Sequence, residues 1–249
     1  MTNRAEASVV DGAASYLDVR YSETARPYTD YPSRLTTYLA DQFLAEHAGK
    51  RLLDLGCGRG EFLHGFAERG FHAVGIDRSR PANPKFSDPV VVGDYARDAL
   101  PFEDGEFDVI FSKSVFEHIV DVSALLDECR RVLAPGGTLI SLVPDWKAQW
   151  RHFYDDWTHV RPFTLTGLTE CISCHGFAVR ESRRFRQLPF LWERPWLKPV
   201  ADVCALVPRA LSSSKLVRFS KEWMLLVVAD TPASATKKNP FAVRAPNRP

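Results

Sequence analysis

The chain has 249 residues, a length that suits one domain with a substantial hydrophobic core. Its 32 lysines and arginines balance 31 acidic residues, and the net charge of +1 argues against an extended nucleic-acid-binding surface. Apolar residues make up 45% of the chain without any run of about 18, so the sequence predicts no membrane-spanning helix. The amino-terminal residues lack the apolar core of a signal peptide, which predicts a cytoplasmic protein with reduced cysteines.

Helices and strands alternate along the first 150 residues of the predicted structure. After an irregular segment, Ser33 is the predicted N-cap of a helix that carries Leu35 and Leu39 on one face and ends at Gly49. Further helical patterns cover 62–70 and 121–133. The predicted buried strands are RLLDL, HAVGID, PVVVGDY, FDVIFSK and, after an APGG turn, TLISLVP. This alternation predicts an α/β fold, with a parallel sheet covered by helices on both faces.

The remainder of the chain departs from this alternation. The stretches FAVRESRRF and EWMLLVVA predict two more strands, which close the sheet as an antiparallel pair. Between them, residues 188–218 are rich in proline and tryptophan and predict a helical insertion that caps the pocket. The last residues are small, polar and basic, which predicts disorder. The predicted division is therefore an amino-terminal segment that partly covers the cofactor, a catalytic domain and a tail, at 1–32, 33–232 and 233–249.

The stretch CISCH, residues 171–175, has the pattern of a covalent haem attachment. Such haem requires export, and a zinc site would need further ligands at matching spacing. The surrounding segment LTGLTECISCHGF has helical periodicity and ends at Gly176. We therefore interpret Cys171 as a core residue of a helix and Cys174 as a residue without chemical function.

The most informative stretch is LLDLGCGRGEF, residues 52–62, in which Gly56, Gly58 and Gly60 follow a strand. A dinucleotide-binding turn would need a glycine at the position of Glu61, whose carboxylate would repel a pyrophosphate at the helix N-terminus. The spacing found here allows close approach of a ligand without requiring a phosphate. Asp54 suits a ligand with an ammonium or sulfonium charge, which favours S-adenosyl-L-methionine over a dinucleotide.

The motifs LLDLGCGRGEF, AVGIDRS, VVGDY, FDVIFSKSVFEHI and LLDECRRVLAPGGTLISLVP resemble the successive motifs of class I S-adenosylmethionine-dependent methyltransferases. The likeness covers residues 35–180 and the final strand. The segment DDWTHVRPFTLTGLTECISCHGF is similar to the small-molecule, methyltransferase type 11-like branch. The resemblance implies a Rossmann-like sheet of seven strands, mostly parallel, with an antiparallel last strand.

The resemblance also implies the cofactor site. Asp77, at the end of the second strand, would accept both ribose hydroxyls. Asp94 would accept from the adenine amino group, Tyr95 would cover the ring, and Arg78 would lie at the adenosine edge. The full implied set is Asp54, Gly56, Cys57, Gly58, Gly60, Asp77, Arg78, Asp94, Tyr95, Ser112 and Lys113.

Two histidines are candidate bases for a hydroxyl acceptor, because an imidazole titrates near neutral pH. His118 follows the fourth strand, and His159 lies in the loop after the fifth. We rank His159 first, because Asp155 or Asp156 would orient its imidazole, and expect His118 to position the acceptor. The substrate contacts implied with them are Asp156, Trp157 and Arg161.

No metal site is predicted. Related quinone-pathway O-methyltransferases place a glutamate three residues before a Glu-His pair and bind a metal there. Here that position is Ser114, which leaves Glu117 and His118 as two ligands at most.

The sequence therefore predicts an enzyme that methylates a small molecule, with S-adenosyl-L-homocysteine as its product. A hydroxyl of a sugar, a phenol or a related natural-product or glycan intermediate is the first expectation. Nitrogen and carboxylate acceptors, a non-catalytic binding protein and a dehydrogenase are the alternatives. The oligomeric state is left open, a homodimer being one outcome.

Overall fold

The structure of the protein is a computed structural model, described for residues 16–47, 49–80, 85–206, 217 and 220–233. The helices are α1 (Tyr16–Arg20), α2 (Tyr31–Phe43), α3 (Glu61–Glu68), α4 (Val122–Val132), α5 (Trp146–Gln149), α6 (Leu165–Cys174), α7 (Pro189–Glu193) and α8 (Lys198–Leu206). The strands are β1 (Arg51–Leu55), β2 (His72–Asp77), β3 (Val90–Val92), β4 (Phe107–Lys113), β5 (Leu133–Pro144), β6 (Ala178–Arg186) and β7 (Trp223–Asp230).

The strands form one sheet in the order β3-β2-β1-β4-β5-β7-β6. The first five are parallel to one another, and β7 is antiparallel to both of its neighbours. The carboxyl ends of β1 to β5 therefore share one edge with the carboxyl end of β6. This topology confirms the predicted α/β fold with a mostly parallel sheet and an antiparallel last strand.

Hydrophobic helices cover both faces of the sheet, because side chains alternate between faces along each strand. Leu53 of β1 packs in the core on one side, together with Leu126 of α4. Its neighbour Leu52 belongs to the core on the other side, with Leu39 of α2 and Phe66 of α3. The result is three layers, with the sheet buried between helices.

Two predicted boundaries differ from the structure. Helix α2 begins at Tyr31 with Asp30 as its N-cap residue, and Ser33 lies inside the first turn, where its carbonyl accepts from the Thr36 hydroxyl. Pro32 fits this turn because the first amides of a helix have no intrahelical acceptor. The APGG residues lie within the bounds of β5, where Gly136 has a φ of 76°.

The carboxyl-terminal part contains the predicted helices and strands. Helices α7 and α8 lie in the predicted insertion 188–218, of which 207–216 and 218–219 fall outside the described residues. The predicted tail also falls outside them, apart from Ala233. All five cysteines are described and free, including Cys171 and Cys174 on α6. Within the described ranges, every helix is too short or too polar to cross a lipid bilayer.

Gly75 allows α3 and the glycine turn to pack closely on β2. A Cβ at this position would lie 2.6 Å from Cys57 Sγ and 2.9 Å from Leu63 Cδ2. Overpacking of this kind costs roughly 1–3 kcal/mol. We expect Gly75→Ala to lower the free energy of unfolding by that amount, measured by denaturant titration.

Gly93→Ala is the matched control, because its Cβ would lie 3.5 Å from Ile76 Cδ1, an ordinary contact. Equal stability of Gly75→Ala and the wild type would show that the helix moves freely relative to the sheet.

Candidate active site

A cleft of about 930 Å³ opens at the carboxyl edge of the parallel strands. This volume is in the range of small-molecule and cofactor sites. Eleven of the residues predicted from the sequence line it, namely Asp54, Gly56, Cys57, Gly58, Asp77, Arg78, Asp94, Tyr95, Lys113, His118 and Trp157. The other five predicted residues lie behind or beside its wall: Gly60, Ser112, Asp156, His159 and Arg161.

The glycine turn after β1 requires left-handed backbone conformations. The φ angles are 75° at Gly56, 53° at Gly58 and 81° at Gly60, which a side chain would strain. The Gly56 amide donates to the carbonyl of Ile76 at 2.8 Å and so ties the turn to β2. The turn therefore exposes main chain to the cleft between β1 and β2.

Asp77 is held at the carboxyl end of β2 by main-chain donors. The Gly58 amide donates to its Oδ2 at 2.8 Å, and the Ser79 amide donates to Oδ1 at 3.3 Å. Burial raises the pKa of Asp77, and these amides act in the opposite direction. The carboxyl group is thus fixed in orientation at the cleft wall.

Asp54 is a buried carboxyl group with an unpartnered oxygen. Its residue is 2% exposed, and Oδ2 has no hydrogen-bond partner. Burial and the nearby Asp77 raise the pKa of Asp54 to about 8. A cationic group in the cleft would stabilise the ionised form.

The residues predicted for the adenosine end form a local cluster. Arg78 Nε lies 3.2 Å from Asp94 Oδ1, and the Ala96 amide donates to the same oxygen at 3.2 Å. Burial raises the pKa of Tyr95 well above its ordinary value. Arg78 therefore neutralises Asp94 at this end of the cleft.

Ser112 and Lys113 end β4 in different ways. Ser112 is 1% exposed and lies behind the wall. The Lys113 side chain lines the cleft, with Nζ over the rings of Phe62 at 5.4 Å and Tyr31 at 6.0 Å. Burial lowers the pKa of Lys113 to about 8. Sequence reasoning expected mainly backbone contacts here and did not foresee this inward-facing amine.

Arg59 of the glycine turn holds the amino-terminal segment against the cleft. Its guanidinium donates to the carbonyls of Tyr21 at 2.9 Å and Arg26 at 2.7 Å, and it stacks on the Tyr28 ring. Glu61 pairs with the same guanidinium at 2.7 Å. The sequence marked the turn but gave no sign of this role for Arg59.

His118 is the histidine at the cleft wall, and a chain of polar groups orients it. The Thr158 hydroxyl donates to Asp156 Oδ1 at 2.6 Å, so its oxygen accepts from His118 Nδ1 at 2.9 Å. Asp156 also accepts from the Tyr16 hydroxyl at 2.9 Å and pairs with Arg20 at 3.2 Å. His118 Nε2 therefore carries the lone pair.

The expected pairing of His159 with Asp155 or Asp156 is not formed. His159 Nδ1 donates to the carbonyl of Phe153 at 2.6 Å, and Asp155 instead pairs with His152 at 3.1 Å. The geometry therefore overturns the reason for ranking His159 first, because Asp156 reaches His118 through Thr158. The two imidazole rings contact edge-on, with centroids 4.7 Å apart.

Two predicted substrate residues lie toward the outside. The Arg161 guanidinium donates to the carbonyl of Val120 at 2.6 Å. Trp157 is 83% exposed and lines the mouth of the cleft. The amides of Val160 and Arg161 both donate to the carbonyl of Glu117, at 2.9 and 3.0 Å. This clasp fixes the loop after α5 onto the end of β4.

The side chain of Glu117 is buried beside both histidines. The residue is 1% exposed, and neither carboxyl oxygen has a hydrogen-bond partner. Burial raises the pKa of Glu117 to about 8, while burial and the adjacent His159 lower that of His118 to about 4. Ligand atoms of Glu117, His118 and His159 lie within 4.8 Å of one another, so the expected limit of two candidate metal ligands is wrong.

A family model described as a methyltransferase domain matches residues 26–182. The chain is 38% identical over 117 residues to malonyl-(acyl-carrier protein) O-methyltransferase 1 of Coxiella burnetii, covering 45% of this chain and 41% of that protein. It is 33% identical over 104 residues to the ubiquinone biosynthesis O-methyltransferase of Psychrobacter cryohalolentis, covering 37% of this chain and 40% of that protein. The chain thus spans about two fifths of the length of each relative.

A solved structure shows the same fold. The crystal structure of a SAM-dependent methyltransferase from Archaeoglobus fulgidus matches with a TM-score of 0.61 at 18% identity. The match covers 87% of this chain and 100% of that chain. The strand order and the cleft described above therefore belong to a known methyltransferase architecture.

Replacing Asp54 by asparagine should flatten the pH dependence of stability. Burial raises the pKa of Asp54 from 3.8 to about 8 in the folded chain. Between these values the unfolded chain releases a proton that the folded chain keeps, so the free energy of unfolding falls as the pH rises. Denaturant titrations at about pH 5 and about pH 8 should show the wild type losing stability relative to Asp54→Asn.

Asp98→Asn makes the same chemical change at an exposed position and serves as the control. Parallel stability curves for the wild type and Asp54→Asn across this pH range would contradict a protonated, buried Asp54.

Proposed function

This chain belongs to the methyltransferase family whose model matches residues 26–182, and we propose that it methylates a hydroxyl of a small molecule. The family is that of the class I S-adenosylmethionine-dependent methyltransferases. The observation that carries the proposal is the fixed histidine at the cleft wall, beside the buried Glu117 and His159. A hydroxyl needs such activation, because it must lose its proton as it is methylated.

The residues along the cleft fit S-adenosyl-L-methionine. The unpartnered Asp54 oxygen suits the ammonium of the methionine portion, and the Asp77 carboxylate suits the paired ribose hydroxyls. The left-handed glycine turn lets a ligand approach the main chain. When bound, the cofactor supplies a methyl group on a positively charged sulfur, which is already a strong electrophile. The protein must therefore orient the acceptor and activate its oxygen.

We place the acceptor between the glycine turn and His118. Tyr16, Trp157 and Val160 line this part of the cleft and offer rings and an apolar side chain at its mouth. Such surfaces suit a ring-bearing acceptor such as a sugar or a phenol. Trp157 is the substrate contact that we keep, whereas Asp156 acts by holding Thr158 and His118 in place.

An oxygen acceptor is favoured over nitrogen and carboxylate acceptors. An amine that is already neutral, or a carboxylate, would be methylated without activation and would leave the histidine cluster without a role. The two relatives are both named O-methyltransferases. A non-catalytic binding protein and a dehydrogenase become outcomes of the tests below.

We keep the sequence-based division of the chain as part of the proposal. The segment that includes Tyr21 and Arg26 covers the cofactor, since both residues line the cleft and Arg59 holds both. Residues 33–232 form the catalytic domain, and the insertion from 188 caps it. A small natural-product or glycan intermediate in the cytoplasm is the proposed partner, with no nucleic acid.

Calorimetry should detect binding of S-adenosyl-L-methionine and S-adenosyl-L-homocysteine, and no binding of NAD. Asp77→Asn should weaken cofactor binding by roughly 1.5–3 kcal/mol, because a hydrogen bond to a charged group is lost. Asp98→Asn, at an exposed position, is the control. Tight NAD binding, or unchanged cofactor affinity in Asp77→Asn, would refute the cofactor assignment.

Release of S-adenosyl-L-homocysteine should be measured with a panel of sugars and phenols. His118→Ala and His159→Ala should each lower kcat by roughly 10²–10⁴-fold, the usual range for loss of proton-transfer assistance, with cofactor affinity unchanged. The exposed His152→Ala should keep full turnover. If both cluster variants stay active, the acceptor is an amine or a carboxylate.

A further inference from the structure

We propose that Glu117, His118 and His159 bind a divalent transition-metal cation at the end of the cleft. Each offers one ligand atom, and these atoms lie within 4.8 Å of one another. Within the described residues, this is the one group of three or more such side chains that meets this spacing. The CISCH stretch on and after α6 does not form one.

Both imidazoles have their Nδ1 atoms occupied by supporting groups. His159 Nδ1 donates to the Phe153 carbonyl, and His118 Nδ1 donates to Thr158, which is held in turn by Asp156. Metal-bound histidines characteristically donate their second ring N–H to a carbonyl or to a carboxylate-linked group. This leaves the Nε2 lone pairs of both rings for a cation.

Glu117 provides the independent observation that points to a ligand. Its side chain is buried, yet both carboxyl oxygens lack a hydrogen-bond partner. A buried carboxylate without partners is costly, and a bound cation removes that cost. The clasp between the Glu117 carbonyl and the amides of Val160 and Arg161 keeps His159 beside it.

The ligand set indicates the kind of cation. Two imidazoles and one carboxylate favour zinc and other first-row transition metals, whereas magnesium and calcium favour oxygen ligands. Three protein ligands also leave a position open, as in catalytic metal sites. Because His118 lines the cleft, that position is accessible from the cleft.

The role of the cation, though not its binding, rests on the proposed function. A cation at the open position would hold the acceptor oxygen and lower the pKa of its hydroxyl. The hydroxyl proton passes to water in the cleft, the oxygen forms a bond to the methyl carbon, and the carbon–sulfur bond breaks with its electron pair left on sulfur. Charge and atoms balance without an oxidant or reductant.

The test uses the full chain without a polyhistidine tag, stripped with a chelator. Titration with Co²⁺, followed by visible absorption, should show one tight site, and calorimetry with Zn²⁺ should give the same stoichiometry. Mg²⁺ should not compete. Glu117→Gln and His159→Gln should weaken binding by more than the roughly 10–100-fold typical of losing a supporting group, and Thr158→Val should weaken it within that range.

The controls are His152→Ala and Cys174→Ser, which alter exposed candidate ligands outside the cluster and should bind Co²⁺ as the wild type does. Affinity for S-adenosyl-L-homocysteine reports folding of each variant. If Glu117→Gln does not fold, His159→Gln carries the same test from a loop position.

Absence of Co²⁺ and Zn²⁺ binding by the wild type would overturn the metal site. Equal binding by folded cluster variants would overturn it as well. Metal binding that depends on the cluster, in a protein that methylates no hydroxyl, would support the site and refute the proposed function. Methyl transfer to a hydroxyl that survives complete metal removal would do the reverse.

Discussion

The parallel course of β1 to β5 is the constraint on which the site depends. A parallel ladder requires each strand to be reached by a crossover, so the carboxyl ends of all five strands meet at one edge. The glycine turn, Asp77, Asp94 and His118 each follow a different strand, and this shared edge brings them to one cleft. The antiparallel β7 lets β6 end at the same edge, which places the start of the insertion there too.

Two buried carboxyl groups, Asp54 and Glu117, give the cleft its electrostatic character. Each is about as buried as a leucine of the core, and each has an oxygen without a partner. Such groups reduce the stability of a folded chain unless a positive charge compensates them. In the proposed function Asp54 meets the ammonium of the cofactor, and in the proposed metal site Glu117 meets a cation. The unliganded fold is therefore less stable than its core alone would make it.

The sequence predicted the sheet well, because strand burial and glycine turns leave local patterns. The bounds of β2 and β4 coincide with HAVGID and FDVIFSK. The start of α2 was predicted at Ser33, since local reasoning cannot weigh a good capping residue against Pro32 two positions into a real helix. The link from Asp156 through Thr158 to His118 was out of reach. It depends on main-chain bonds from Val160 and Arg161 to Glu117, and main-chain groups carry no sequence signal.

The clamp formed by Arg59 has a consequence for how this protein can diverge. Arg59 holds the amino-terminal segment through the carbonyls of Tyr21 and Arg26, groups that every amino acid provides. Substitutions at those two positions leave the hydrogen bonds intact, whereas substitution of Arg59 removes both together. The segment is therefore free to drift in sequence and to adapt to new acceptors, while the residue that secures it stays embedded in the glycine turn. Selection on cofactor binding and selection on the covering segment then act on one arginine.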